Sequence, residues 1–135
     1  EALGRSDVAD IGIVNRSAAT LNAAVQLATQ ARPVTEDALV DMDIIVNTTP
    51  VGMAGGSAAD RCPIDTSLIS SAHTVVDIVY DPLETPLLAA AAERGARVQG
   101  GVPMLIHQAA LAFRLWTGEP APIAAMTAAV ADHLS

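Results

Sequence analysis

The chain has 135 residues, half of them hydrophobic, which is length and apolar material for the core of one ordinary domain. A net charge of -8 and only three aromatic residues remove both a basic phosphate-tracking surface and a base-stacking platform, so nucleic acid is not an expected partner. Cys62 is the only cysteine, which excludes an intramolecular disulfide and a Cys-Cys zinc pair and fits a reducing cytoplasm; no apolar run has the length of a membrane span, and EALGRSDVAD lacks the form of a signal peptide.

Strand-like runs alternate with helix-like ones along the chain. IGIVN (11–15) is a short apolar strand, followed by Ser17 as a helix cap and a helix expected to run to about Ala31, with Leu21, Val25 and Ala28 near one face. Arg32-Pro33 ends it, a short extended piece lies near Val34, and a short helix around 36–40 leads into DIIVNTT (43–49), a continuous apolar run of the kind buried in a parallel sheet. TVVDIVY (74–80) is the third clear strand, and PLETPLLAAAAERGA then forms a helix that Gly95 can cap. ARVQG is a short last strand. A helix begins at Pro103 and runs to about Thr117, and another covers about 123–134.

Such alternation implies a doubly wound α/β fold with a parallel sheet, whose ligands sit outside the carboxyl ends of the strands. The polar segments fall there: NRS after the first strand, NTTPVGM after the second, Tyr80-Asp81-Pro82 after the third and GGVPM after the fourth. Four strand ends with small, polar or glycine residues mark one side of the sheet as the candidate site.

NRS, NTTPVGM, DIVYDPLETP and GGVPMLIHQAALAFRLWTG, in this order, resemble the NADP-binding half of the shikimate dehydrogenase family over almost the whole chain. The resemblance implies a Rossmann-like domain that takes part in reversible, NADP-dependent reduction of 3-dehydroshikimate to shikimate, on the route to aromatic amino acids. Arg16 then reads as the NADP selector: a strand ending in an acid would accept hydrogen bonds from the ribose 2'-hydroxyl of NAD, whereas a guanidinium pairs with a 2'-phosphate. Asn15 can bond the adenosine ribose or phosphate, and Ser17 adds a hydroxyl at an anion-favouring helix terminus.

The resemblance further places Asn47, Thr48, Thr49 and Gly52 along the cofactor's ribose and nicotinamide, Ile78 as an apolar wall for the nicotinamide, and Gly101 close to the cofactor. Met104 packs on the nicotinamide in the family pattern. Tyr80 and Gln108 are the implied substrate contacts, and Gln108 shares a helical face with Met104 four residues earlier. Pro103 departs from the glycine of many relatives. His107 points about 100° away from Gln108 and is read as surface or packing. His73, His133 and Cys62 have no partners at metal or nucleophile spacing, so no metal site is expected, and Leu111, Phe113, Leu115 and Trp116 are read as packing residues.

No Gly-rich phosphate turn precedes IGIVN, and the Lys-Asp pair that handles the family's proton belongs to a substrate domain not found here. The sequence is therefore expected to be the cofactor-binding part, 1–135, of a longer two-domain enzyme. In the usual 3-2-1-4-5-6 order the missing first strand lies between IGIVN and DIIVN. Three outcomes are expected: direct pairing of these two strands, filling of the slot by a second copy, or a longer molecule. By itself the chain is expected to be inactive. Two other readings stand beside this one, a quinate/shikimate dehydrogenase with relaxed cofactor choice and a non-catalytic binding module on the same scaffold.

Overall fold

The computed structural model describes residues 3–134, which fall into two compact units that divide between Asp41 and Met42. In the first, β1 (Ile11–Ile13) and β2 (Ala31–Pro33) form a parallel pair joined through α1 (Ala18–Val25), with Ile11 opposite Ala31 and Ile13 opposite Pro33. The ladder continues through the Val34 amide to the Ile13 carbonyl at 3.0 Å. Leu21, Ala24, Val25 and Ala28 are half-buried, so the face read from the sequence is the one that turns inward. A 3-10 turn over Glu36–Asp41 buries Leu39. Helix α1 stops six residues earlier than its composition suggests. The cause is tertiary: Ala31 and Arg32 are needed in extended form opposite β1, and Pro33, with no N–H to donate, is tolerated because β2 is an edge strand.

The second unit carries β3 (Ile44–Asn47), β4 (Thr74–Asp77) and β5 (Arg97–Gln99), all parallel, in the order β3-β4-β5. Ile45 and Val75 lie opposite one another and are buried on the face that α2 (Pro86–Glu93) covers with Leu87, Leu88 and Ala91. Burial of such side chains contributes about 1.5–3 kcal/mol each, so this layer is the main core of the unit. Helix α2 starts where Thr85 accepts a hydrogen bond from the Leu88 amide and Pro86 takes the first helical turn; Gly95 (φ 78°) closes its other end by donating to the Ala92 carbonyl at 2.9 Å. Two further helices follow, α3 (Val102–Thr117) and α4 (Ile123–Leu134).

IGIVN and DIIVN do not pair with each other. Among the described residues each belongs to its own parallel sheet, and direct closure of the expected slot is not what the backbone adopts. No helix among the described residues is long and apolar enough to cross a membrane.

Candidate active site

In the first unit the carboxyl end of β1 turns sharply into α1. Asn15 organises that turn: its carboxamide donates to the Thr20 hydroxyl at 2.8 Å and accepts from the Ser17 amide at 3.4 Å, while Thr20 in turn donates to the Ser17 carbonyl at 3.1 Å. Both polar ends of Asn15 are thus engaged within the turn. Ser17 occupies the N-cap position in an extended conformation (φ -97°, ψ 120°), but its hydroxyl makes no capping bond. Arg16 is exposed, and no hydrogen bond or ion pair of its side chain is found among the described residues. An uncommitted guanidinium and hydroxyl beside the open N–H groups of a helix start have the chemistry to receive an anion.

Arg32 of the same unit, by contrast, is committed. Arg32 makes a two-pronged pair with Asp10, Nε at 2.9 Å and Nη2 at 2.7 Å, and this hydrogen-bonded contact lowers the Asp10 carboxyl below its ordinary range. An open groove of about 450 Å³ runs along Leu21, Arg32, Pro33, Val34, Thr35 and Ala38. Neither Arg16 nor Ser17 lines it.

In the second unit the carboxyl ends of the three parallel strands β3, β4 and β5 lie on one side of their sheet. The loop after β3 is built on Asn47, which is buried: its carboxamide oxygen accepts from the Thr49 amide at 3.0 Å and hydroxyl at 2.7 Å, and its nitrogen donates to the Val51 carbonyl at 3.3 Å and to Asp77 at 2.9 Å. Thr48 and Thr49 remain exposed above it. Gly52 is buried with φ 90°, a backbone form that side chains with a Cβ rarely adopt, and its amide donates to the Ala58 carbonyl at 3.0 Å. Its glycine is therefore required by the turn itself.

After Asp77 the chain leaves the sheet. The Ile78 amide still donates to the Asn47 carbonyl at 3.1 Å and Ile78 is half-buried, whereas Tyr80 is 45% exposed and lines a shallow apolar groove of about 240 Å³ with Leu105, Ala129, Val130 and His133. Gly101 lies against this segment. Its amide donates to the Val79 carbonyl at 3.1 Å, and a Cβ added to it would collide with the Ile78 carbonyl group. What Gly101 approaches in this fold is thus the backbone of Ile78 and Val79. From there α3 presents Met104 and Gln108, both exposed. Leu111, Leu115 and Trp116, expected to pack, are instead 64%, 84% and 85% exposed, because no described element covers that side of α3.

Sequence reading missed Asp77 and Thr85, both fully buried. The signal was present: a carboxylate inside the apolar run TVVDIVY, in register with the polar end of the preceding strand. His73 is buried too, its Nδ1 accepting from the Ser70 amide at 2.8 Å while Nε2 has no partner among the described residues. Burial raises the Cys62 thiol above its usual range, which disfavours the thiolate. No cluster of metal-binding side chains occurs among the described residues.

Parallel strands alternating with helices, with polar and glycine-rich segments at their carboxyl ends, define a Rossmann-like α/β protein. A family profile described as the shikimate 5'-dehydrogenase C-terminal domain matches residues 101–131. Shikimate dehydrogenase (NADP(+)) of Dehalococcoides mccartyi is 44% identical over 91 residues, a stretch covering 67% of this chain and 31% of that one. A solved shikimate dehydrogenase in complex with NADP+ superposes with a TM-score of 0.84 at 31% identity, over 93% of this chain and 47% of the other. The enzyme of Thermus thermophilus, in complex with NADP(H) and shikimate, does so with a TM-score of 0.75 at 36% identity, over 91% and 46%. The chain is thus similar to shikimate dehydrogenases, and the profile of their C-terminal domain matches its residues 101–131. It spans less than half the length of each of these proteins.

Proposed function

We propose that this chain is the cofactor-binding part of a cytoplasmic shikimate dehydrogenase that uses NADP(H) to interconvert 3-dehydroshikimate and shikimate. The observation that carries the reading is Arg16, an exposed guanidinium with no internal partner among the described residues, placed between the end of β1 and the first turn of α1. There it pairs with the 2'-phosphate of the adenosine ribose, with the Ser17 hydroxyl and the helix-terminal N–H groups adding donors. Asn15 holds that turn in shape through Thr20 and the Ser17 amide.

In the second unit, Thr48 and Thr49 offer hydroxyls and backbone to the ribose and nicotinamide, with Asn47 supporting them from beneath. Ile78 and Met104 supply apolar surface for the nicotinamide ring, and Gly101 lets the start of α3 lie against the Ile78–Val79 backbone, on the helix that carries Met104. Tyr80 and Gln108 hydrogen-bond the hydroxyl-rich acid. NADP(H), when bound, supplies or takes up the hydride. All seven basic residues are arginines, so this chain has no lysine to act as an acid or base; proton transfer is assigned to a Lys-Asp pair outside it. The 135-residue chain alone is accordingly expected to turn nothing over.

The test is Arg16→Ala in the complete gene product. A charged hydrogen bond is worth about 1.5–3 kcal/mol, so NADP affinity should fall by roughly one to two decades while NAD affinity changes little. Equal losses for both cofactors remove Arg16 from the selecting role.

A further inference from the structure

Asp77 is the last residue of β4 and is wholly inaccessible to solvent, yet three donors converge on its carboxylate. Oδ1 accepts from the Asn47 carboxamide at 2.9 Å and from the Val79 amide at 3.1 Å, and Oδ2 accepts from the Thr85 hydroxyl at 2.8 Å. Each donor belongs to a different part of the proposed site. Asn47 ends β3 directly opposite Asp77 in the ladder and carries the Thr48–Thr49 loop on its own carboxamide oxygen. Val79 lies within the segment that presents Ile78 and Tyr80. Thr85 is the N-cap of α2, its hydroxyl oxygen also accepting from the Leu88 amide at 3.3 Å.

We infer that Asp77 is a positioning residue: by holding Asn47, Val79 and Thr85 at once, it sets the loop after β3 and the segment after β4 at matching heights. The inference rests on the proposed function for what those two segments bind. Backbone bonds also join these segments past the ladder, the Ile78 amide to the Asn47 carbonyl at 3.1 Å and the Ala54 amide to the Asp81 carbonyl at 2.8 Å, but neither holds the Thr49 or the Val79 amide, which depend on the Asn47 and Asp77 side chains. Hydrogen-bonding capacity agrees with the assignment. A carboxylate only accepts, and all three of its neighbours donate. A valine of similar size and good strand preference would strand three donors in a buried place, whereas an asparagine keeps one oxygen for Asn47 and Val79 and lets the Thr85 hydroxyl turn to accept.

The test compares Asp77→Val, Asp77→Asn and His73→Ala in the complete gene product. His73 is buried at the opposite end of β4 and serves as the control for lost stability without lost positioning. Asp77→Val is expected to lower kcat/KM for shikimate and NADP by more than about 30-fold, Asp77→Asn by less than about fivefold, and His73→Ala by less than about threefold at comparable loss of melting temperature. Amide exchange at Thr49 and Val79 should quicken together in Asp77→Val and not in His73→Ala. Should Asp77→Val not fold, Asn47→Ala cuts the same network one bond further out; it should free the Thr49 amide and leave Val79 protected. Kinetics and exchange in Asp77→Val that match His73→Ala overturn the inference, as does unchanged Thr49 exchange in Asn47→Ala. A wild-type protein without NADP-dependent shikimate oxidation would overturn the proposed function instead, and the exchange measurements would still decide the role of Asp77.

Discussion

Replacing Gly101 by alanine tests how the start of α3 is seated on the segment that follows β4. The added Cβ would overlap the Ile78 carbonyl oxygen and lie 2.6 Å from the Ile78 carbonyl carbon and 2.7 Å from the Val79 oxygen, where ordinary contact is 3.4–4 Å. The obstacle is backbone on both counts, so no side chain can swing aside. The start of α3 must retreat by about an ångström, which also stretches the 3.1 Å bond from the Gly101 amide to the Val79 carbonyl. Overpacking of this kind costs about 1–3 kcal/mol, and a lost hydrogen bond adds about 1 kcal/mol. The sum, about 2–4 kcal/mol, is a large share of the roughly 5–15 kcal/mol by which a domain is stable. Met104 and Gln108 ride on the same helix, and a shift of about 1 Å at a reacting centre can cost roughly 100-fold in rate. Urea unfolding should therefore show the loss of stability, and kcat/KM should fall further than the unfolded fraction explains. A variant with stability within about 0.5 kcal/mol of wild type and unchanged kinetics would refute the packing argument and the part it gives Gly101.

Gln108→Ala should raise the apparent constant for shikimate or lower turnover while NADP affinity stays within about twofold, because the lost bonds belong to one ligand; unchanged shikimate kinetics would remove Gln108 from the substrate site. Leu87→Ala, at a side chain only 1% exposed, should cost about 2–5 kcal/mol in chemical denaturation, and a cost under about 1 kcal/mol would mean that α2 does not anchor the core. The Asp10 carboxyl is held below its ordinary value of 3.8 chiefly by its hydrogen bond with Arg32. Its contribution to stability is therefore present above that ordinary value and is lost as pH falls through the lower, folded value. The difference in urea midpoint between wild type and Asp10→Asn should be small, as expected for an exposed pair, and should shrink as pH falls below the ordinary carboxyl value and through the lower, folded one. A difference that does not change with pH would contradict the pairing.

Much of the fold is legible in the chain itself. Apolar runs at Ile11–Ile13, Ile44–Asn47 and Thr74–Asp77 and the helices at Pro86–Glu93, Val102–Thr117 and Ile123–Leu134 follow from hydrophobic period, caps and turn residues, which are properties of short stretches of chain. The carboxyl-end placement of NRS, NTTPVGM and GGVPM follows from the alternation itself. The length of α1 was not legible, because Ala31 and Arg32 have ordinary helix-forming character and only the ladder to β1 draws them into a strand. The division into two sheets is likewise a matter of which edges meet.

For the site, the sequence determined which residues are chemically capable of recognition, and the tertiary structure decided which of them are left free to do it. Asn15 and Asn47 offer the same groups as any ligand-binding asparagine, yet Asn15 spends them on its own turn and Asn47 on its turn and on Asp77, while the Arg16 and Ser17 side chains have no such partners among the described residues. Asp77 and Thr85 looked like a strand residue and a helix cap, and only the register that puts Asn47 opposite Asp77, with α2 starting beside it, makes them one buried network. The physical reason is that a polar group's capacity for hydrogen bonds is local and visible in the chain, whereas its partners are set by burial and register, which bring together residues thirty or more positions apart.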